Sequence, residues 1–247
     1  MLSSGCSALI APFLSAAMML ICTTAVHGQS DRSAASRPEQ TVIVESRFAV
    51  TNASAQAELV QLVVDFAPGA WTSFHTHGGQ AINLVLEGEI TLRQAGVDRV
   101  HKAGQAWTDS TGILHAAGNT GTGQASLLTN FLLPEGAPQT TAQHPSQLEP
   151  TVLHEARFPL PPLPAETEIV QQVVDLPSGW RLERKHDGFA ANLVIDGEVT
   201  DKTGPEQKTY RAGESWSTRG EAVAVEENSS IDTARVFTTY LLWRMSR

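Results

Sequence analysis

The sequence predicts an all-β protein built as two tandem copies of one sandwich or barrel domain. Three observations carry that prediction: the apolar residues fall into short strand-like runs, no stretch holds a convincing helical period, and the second half repeats the first. In the first half, "LVQLVVDF" is a β-branched run and "AINLVLEGEITLRQ" reads as strand, Glu-Gly turn, strand. "ASLLTNFLL" and its later counterpart "ARVFTTYLL" are strands bounded by polar turns. Short strands at regular spacing close most readily into a sandwich or barrel.

The repeat spans almost the whole chain. "TVIVESRFAV" from Thr41 is answered by "TVLHEARFPL" from Thr151, "ELVQLVVDF" by "EIVQQVVDL", "LEGEIT" by "IDGEVT", and "AGQAW" by "AGESW". The offset is 110 up to Asp65 and Asp175 and 109 afterwards, which pairs Trp71 with Trp180 and Trp107 with Trp216. A frame that slips by a single residue over this length is a duplicated domain. The domains are read as 41–135 and 151–247, joined by the linker "PEGAPQTTAQHPSQLEP" (Pro134–Pro150), with a polar lead-in over 29–40.

At 247 residues, 41% hydrophobic and 17% charged, the chain can bury a real core. Its formal charge of −9 and lack of a basic run argue against nucleic acid or an anionic membrane as partner. The first 30 residues contain no Asp, Glu, Lys or Arg, and Ala8–Val26 is apolar before the small residues of "AVHGQS". Residues 1–28 therefore read as a signal peptide cut near Ala25 or Gly28, which places the protein in the periplasm or outside the cell, free of the membrane after cleavage. An uncleaved anchor is the other reading, weakened by Pro12; a lipoprotein on Cys22 is disfavoured by Ile21 before it. Cys6 and Cys22 both lie in this segment, so the rest of the chain has no disulfide, thiolate ligand or cysteine nucleophile. A metal site must use imidazole, carboxylate or amide oxygen.

The candidate for such a site is "SFHTHGG". His75 and His77 are two apart, so on a strand both imidazoles face one side. Glycines follow that let a neighbouring element approach closely, and a third histidine, His115, lies in "GQAWTDSTGILHAAGN".

Together these segments resemble the two motifs of the cupin superfamily. Gly69, His75, His77 and Gly88 fit the first, and Gly104, Gly112, His115 and Asn119 fit the second, with Ser110 where the family has proline. The resemblance covers the first repeat directly and the second through the repeat. It implies two tandem double-stranded β-helix (jelly-roll) barrels, a bicupin, with one divalent metal held by His75, His77 and His115. The family's glutamate ligand falls on Ala81, which cannot ligate. Gln80 beside it either offers its amide oxygen as fourth ligand or hydrogen-bonds locally while water fills the position.

A site of three neutral imidazoles leaves a divalent ion its full charge, which favours an anionic or chelating small-molecule substrate. It disfavours Mg and Ca and leaves Fe, Mn, Co, Ni, Cu or Zn. Asn83, two residues beyond Ala81, and Trp71 are substrate-pocket candidates, although Asn83 recurs as Asn192 and so has a structural reading too, and Trp71, which recurs as Trp180, reads equally as core. Trp107 and Trp216 read as core, and His101, His144 and His154 as solvated surface. No other inward acid or base is evident from the sequence, so no general base is assigned.

In the second repeat His75 becomes Arg184, His77 becomes His186, Ala81 becomes Ala190 and His115 becomes Ala224. Arginine offers no lone pair, so this copy reads as one that has lost its metal and packs against the first. Arg184 with His186 could instead form an anion pocket, or pair with Glu183 or Asp187. Three function classes remain open: a metal-dependent dioxygenase-type enzyme, a non-redox metal-dependent isomerase or lyase, and a non-catalytic ligand- or metal-binding protein. The bicupin pattern fits either a monomer or a homodimer.

Overall fold

The computed structural model describes residues 38–51, 56–144, 148–185, 188–220 and 223–243. The signal-peptide reading of residues 1–28 lies outside them, as do His186 and the side chain of Arg184. Among the described residues there is no helix.

The first repeat supplies β1 (Thr41–Ala49), β2 (Ala57–Phe66), β3 (His75–Thr76), β4 (Gln80–Glu87) and β5 (Glu89–Gln94). It continues with β6 (Val97–Lys102), β7 (Ala106–Asp109), β8 (His115–Gly118), β9 (Ala125–Pro134) and β10 (Thr141–Ala142). The second supplies β11 (Thr151–Pro159), β12 (Thr167–Leu176), β13 (Arg181–Arg184), β14 (Gly188–Asp196) and β15 (Glu198–Asp201). It ends with β16 (Lys208–Arg211), β17 (Ser215–Arg219), β18 (Ala224–Glu227) and β19 (Ala234–Trp243).

Each repeat folds into two facing antiparallel sheets. In the first these are β11-β2-β9-β4-β7 and β10-β3-β8-β5-β6; in the second, β1-β12-β19-β14-β17 and β13-β18-β15-β16. The sheets do not follow the sequence boundary between 41–135 and 151–247. Strand β1 pairs with β12, Thr41 opposite Asp175 through to Ala49 opposite Glu168, while β11 pairs with β2, Thr151 opposite Asp65 through to Pro159 opposite Glu58. Each repeat thus lends its first strand to the other's large sheet. "TVIVESRFAV" and "TVLHEARFPL" are close enough in pattern that either could complete either edge.

The alternation of the large-sheet strands sets three cores, one between the two large sheets and one inside each barrel. One face of β2, β4 and β9 meets one face of β12, β14 and β19: Leu59, Ile82 and Leu132 pack with Ile169, Phe189 and Leu241, and Val63, Leu84 and Leu128 with Val173, Leu193 and Phe237. The opposite faces fill the two barrels. In the first barrel, Val64, Phe66, Val85, Ile90 and Leu92 form an apolar floor, against which the Trp107 ring packs from the row above. Above the floor comes a polar row, Thr129, Asn83 and Trp107 on neighbouring strands, and above that a row of Val60, Phe131, Ala81 and Asp109. Tight approaches at the histidine loop depend on glycine. A Cβ on Gly79 would stand 1.9 Å from the Leu132 carbonyl oxygen, and one on Gly78 2.5 Å from that of Pro138.

Candidate metal centre

The three histidines converge on the upper end of the first barrel. His75 on β3 lies directly opposite His115 on β8, and His77 follows two residues later. The ring centroids are 4.5–4.9 Å apart, and one nitrogen from each ring lies within 4.8 Å of the others. All three side chains are buried, His115 to 2% exposure.

Their orientation is fixed by the backbone. Nδ1 of His75 sits 2.7 Å from the Ser73 carbonyl oxygen, Nδ1 of His77 2.9 Å from that of Gln139, and Nδ1 of His115 2.9 Å from that of Ile113. A carbonyl oxygen only accepts, so each Nδ1 carries a proton, and in the neutral ring Nε2 then keeps its lone pair for the interior. The carbonyl that holds His77 belongs to the inter-repeat segment, which also receives the Gly78 amide at Pro138. Burial, partly offset by the Ser73 carbonyl, lowers the His75 pKa, and burial takes that of His77 down to about 3. Both are therefore neutral, the form in which imidazole ligates.

The structure changes three sequence readings. Gln80 is not turned to the histidines. Adjacent residues of a strand face opposite sides, and Gln80 shares the outward face of β4 with Ile82, away from Ala81 and Asn83. Its Oε1 accepts from the Thr51 amide and hydroxyl at 2.8 and 3.1 Å, and its Nε2 donates to the Ala49 carbonyl and to Thr108 Oγ1. The amide is committed to local hydrogen bonds. Trp71 does not face the interior either: Ala117, in the apolar floor, fixes the inward face of β8, and the indole covers Gly118 on the other side. The Arg93 guanidinium lies 4.3 Å above it. His101 is half-buried, stacked on Trp107 at 4.2 Å, and its Nε2 has no partner among the described residues; His154 is likewise half-buried.

Asn83 does face the interior. It accepts from Thr129 Oγ1 at 2.8 Å and donates through Nδ2 to Asp109 Oδ2 at 2.8 Å. Asp109 is the residue the sequence reading missed. It is 4% exposed, accepts also from Trp107 Nε1 at 3.3 Å, and places Oδ2 3.6 Å from His115 Nε2. A signal for it existed in "AWTDS": Trp107 and Asp109 alternate onto one face, and the counterpart of Asp109 in the second repeat is Thr218.

The second barrel holds no such constellation among the described residues. Ala224 stands in place of His115, and Trp180, Val194, Val199, Trp216 and Val236 pack its interior. A cavity of about 20 Å³ remains beside Asn192, Glu226 and Thr238, room for about one water molecule.

A jelly-roll barrel with three inward imidazoles at one end defines a class of β-barrel proteins able to hold a transition metal. Residues 62–131 match the model of the cupin domain family. Over that segment the chain is similar to the cupin domain family, and its two jelly-roll barrels have the fold of a bicupin. It is similar to the HTH-type transcriptional regulator PuuR of Escherichia coli, 35% identical over 81 residues, which are 32% of this chain and 44% of that protein; the chain thus spans less than half the length of this relative. Among solved structures it resembles AerE from Microcystis aeruginosa, with a TM-score of 0.55 and 16% identity over 82% of this chain and 99% of that one. It also resembles oxalate decarboxylase from Bacillus subtilis, with a TM-score of 0.54 and 12% identity over 79% and 76%. These two likenesses concern the fold.

Proposed function

We propose that this protein is an exported, metal-dependent enzyme of the dioxygenase type, acting on a small anionic or chelating substrate. The observation that carries the reading is the convergence of three buried Nε2 lone pairs whose Nδ1 protons are tied to backbone carbonyls. Such a donor set suits Fe, Mn, Co, Ni, Cu or Zn better than Mg or Ca. Three nitrogen ligands leave open positions on an octahedral ion, where a bidentate substrate and dioxygen fit together. The metal would supply the activation of substrate and oxygen; His75, His77 and His115 would hold it, and the apolar surroundings would keep bulk water out. The loops that deliver His75 and His115 carry Phe74, Ile113 and Leu114 exposed, an apolar approach for an organic substrate. Export is supported by the apolar Ala8–Val26 run, free of charge and followed by small residues.

The test begins with metal content, measured by mass spectrometry on protein purified without chelator or nickel. About one equivalent of a transition metal is expected, and a His75→Ala/His115→Ala variant should lose it. The Fe(II)-loaded protein should then bind nitric oxide, a surrogate for dioxygen, and give the paramagnetic resonance signal of a ferrous nitrosyl. Tight binding of zinc with no nitrosyl signal would shift the reading to Lewis-acid chemistry. A protein that takes up no metal would be a binding protein.

A further inference from the structure

We infer that Asp109 supplies the carboxylate ligand that the site lacks at Ala81, reaching the metal from the neighbouring strand. The inference rests on the metal reading above and adds to it a fourth, anionic donor.

Four observations support it. Ala81 and Asp109 are direct cross-strand partners on β4 and β7, so their side chains share one face with Cβ atoms about 5 Å apart. A carboxyl group lost from one strand is thus restored from the other at nearly the same depth. Second, Oδ2 lies 3.6 Å from His115 Nε2. That is too long for a hydrogen bond, but near the roughly 3–3.4 Å that separates two donors on one ion with bonds of about 2.1 Å. Since His115 Nδ1 is engaged by the Ile113 carbonyl, it is Nε2, the ligating nitrogen, that faces the carboxylate oxygen in a buried site. A cation between them turns that opposition into attraction.

Third, the carboxylate is anchored from below by Asn83 Nδ2 and Trp107 Nε1, the kind of support that orients a ligating carboxylate. Fourth, the second repeat separates the structural residues from the site residues. Asn83, Thr129 and Trp107 recur as Asn192, Thr238 and Trp216, whereas Asp109 is replaced, together with His75 and His115, by Thr218, Arg184 and Ala224. There Thr238 Oγ1 still donates to Asn192 Oδ1 at 2.8 Å, while Asn192 Nδ2 has no partner among the described residues. The barrel therefore closes without this carboxylate, and Asp109 goes with the histidines.

The probe is Co(II), titrated into the chelator-stripped protein and followed by its visible absorption. Asp109→Asn, nearly isosteric, should weaken Co(II) binding by more than about 100-fold and shift the absorption bands. Asp109→Ala should do the same, and adding Ala81→Glu to it should recover at least about tenfold, because the carboxylate returns from the other strand. Apo melting curves verify that each variant is folded, and the rescue pair decides the matter if Asp109→Asn is not. Binding within about threefold of wild type with unchanged bands would overturn the assignment. Weaker binding with unchanged bands would make Asp109 a positioning residue for His115 and overturn it equally. Wild-type protein that binds no Co(II) would remove the metal site itself, an outcome distinct from a wild type that binds and a variant indifferent to Asp109.

Discussion

The two barrels of this chain share a frame and differ in what they enclose. Both keep an asparagine–threonine hydrogen bond of 2.8 Å at mid-depth, and both keep a tryptophan beside it on the next strand, Asn83 opposite Trp107 and Asn192 opposite Trp216. Both also close a turn in the same way: Asn119 Nδ2 donates to the Phe66 and Gly123 carbonyls, and Asn228 Nδ2 to those of Leu176 and Asp232. Asn119, which the motif singles out, is therefore a turn residue in both copies. Above this shared frame the first barrel presents imidazoles and a carboxylate, while the second has Ala224 and Thr218. The duplication separates the residues that make the barrel from those that make the site.

The largest expected difference concerns acid. In the unfolded chain His77 takes a proton near 6.5, whereas the folded metal-free protein does not until about 3. Between those values the unfolded state binds more protons, so the stability of the apo form falls as pH is lowered from about 6.5 to about 3. The loss is on the order of a few kcal/mol. Denaturant unfolding at stepped pH measures it, and a His77→Ala apo protein should show a shallower slope, the remainder belonging to His75 and to the half-buried His101 and His154, whose pKa values burial also lowers; an unchanged slope would mean that His77 does not contribute.

Next come the paired asparagines. Asn83→Ala strips a buried carboxylate of one donor and should destabilise the apo protein by about 3 kcal/mol; Asn192→Ala, whose amide nitrogen has no partner to abandon among the described residues, by about 1 kcal/mol. Equal values in urea titrations would erase the distinction drawn here. Gln80→Ala removes four hydrogen bonds that tie β4 to Ala49, Thr51 and Thr108. A stability loss of about 1–2 kcal/mol with metal affinity unchanged is expected, and isothermal titration with Co(II) would expose any ligating role. The smallest effect belongs to the second barrel alone. Asp175 lies 2.7 Å from Arg235, where the first barrel has Asp65 opposite Ser126. Asp175→Asn should reduce stability by less than about 1 kcal/mol, and less still in high salt.

The repeat, the all-β class and the three histidines are legible in the sequence because each is a local pattern with its own period. Gln80 was kept as a candidate ligand for its nearness to the vacated position, although alternation along a strand already places it on the face opposite Ala81. Asp109 is harder, since its role depends on β4 pairing with β7 in one register, which brings it to Asn83, 26 positions away in the sequence. Trp71 was misplaced because an aromatic residue near a motif reads equally as lining or as cover, and Gly118 decides for cover. The strand exchange is invisible for a different reason. With β1 and β11 so alike, the sequence is degenerate between two pairings, and geometry alone chooses.

That exchange has a consequence for how the molecule comes into being. While the chain is being made, the large sheet of the first barrel lacks its outer strand until Thr151–Pro159 has been added. The strand Thr41–Ala49 meanwhile waits for a partner more than a hundred residues ahead. Neither repeat is an independent folding unit, and the contacts that finish both are among the most distant in the chain, the kind that form slowly. Once formed, they hold in reverse. A protease that cuts the connecting segment after Ala142 would leave two fragments still laced together by two ladders of main-chain hydrogen bonds, and they would travel as one particle until a denaturant undid the weave.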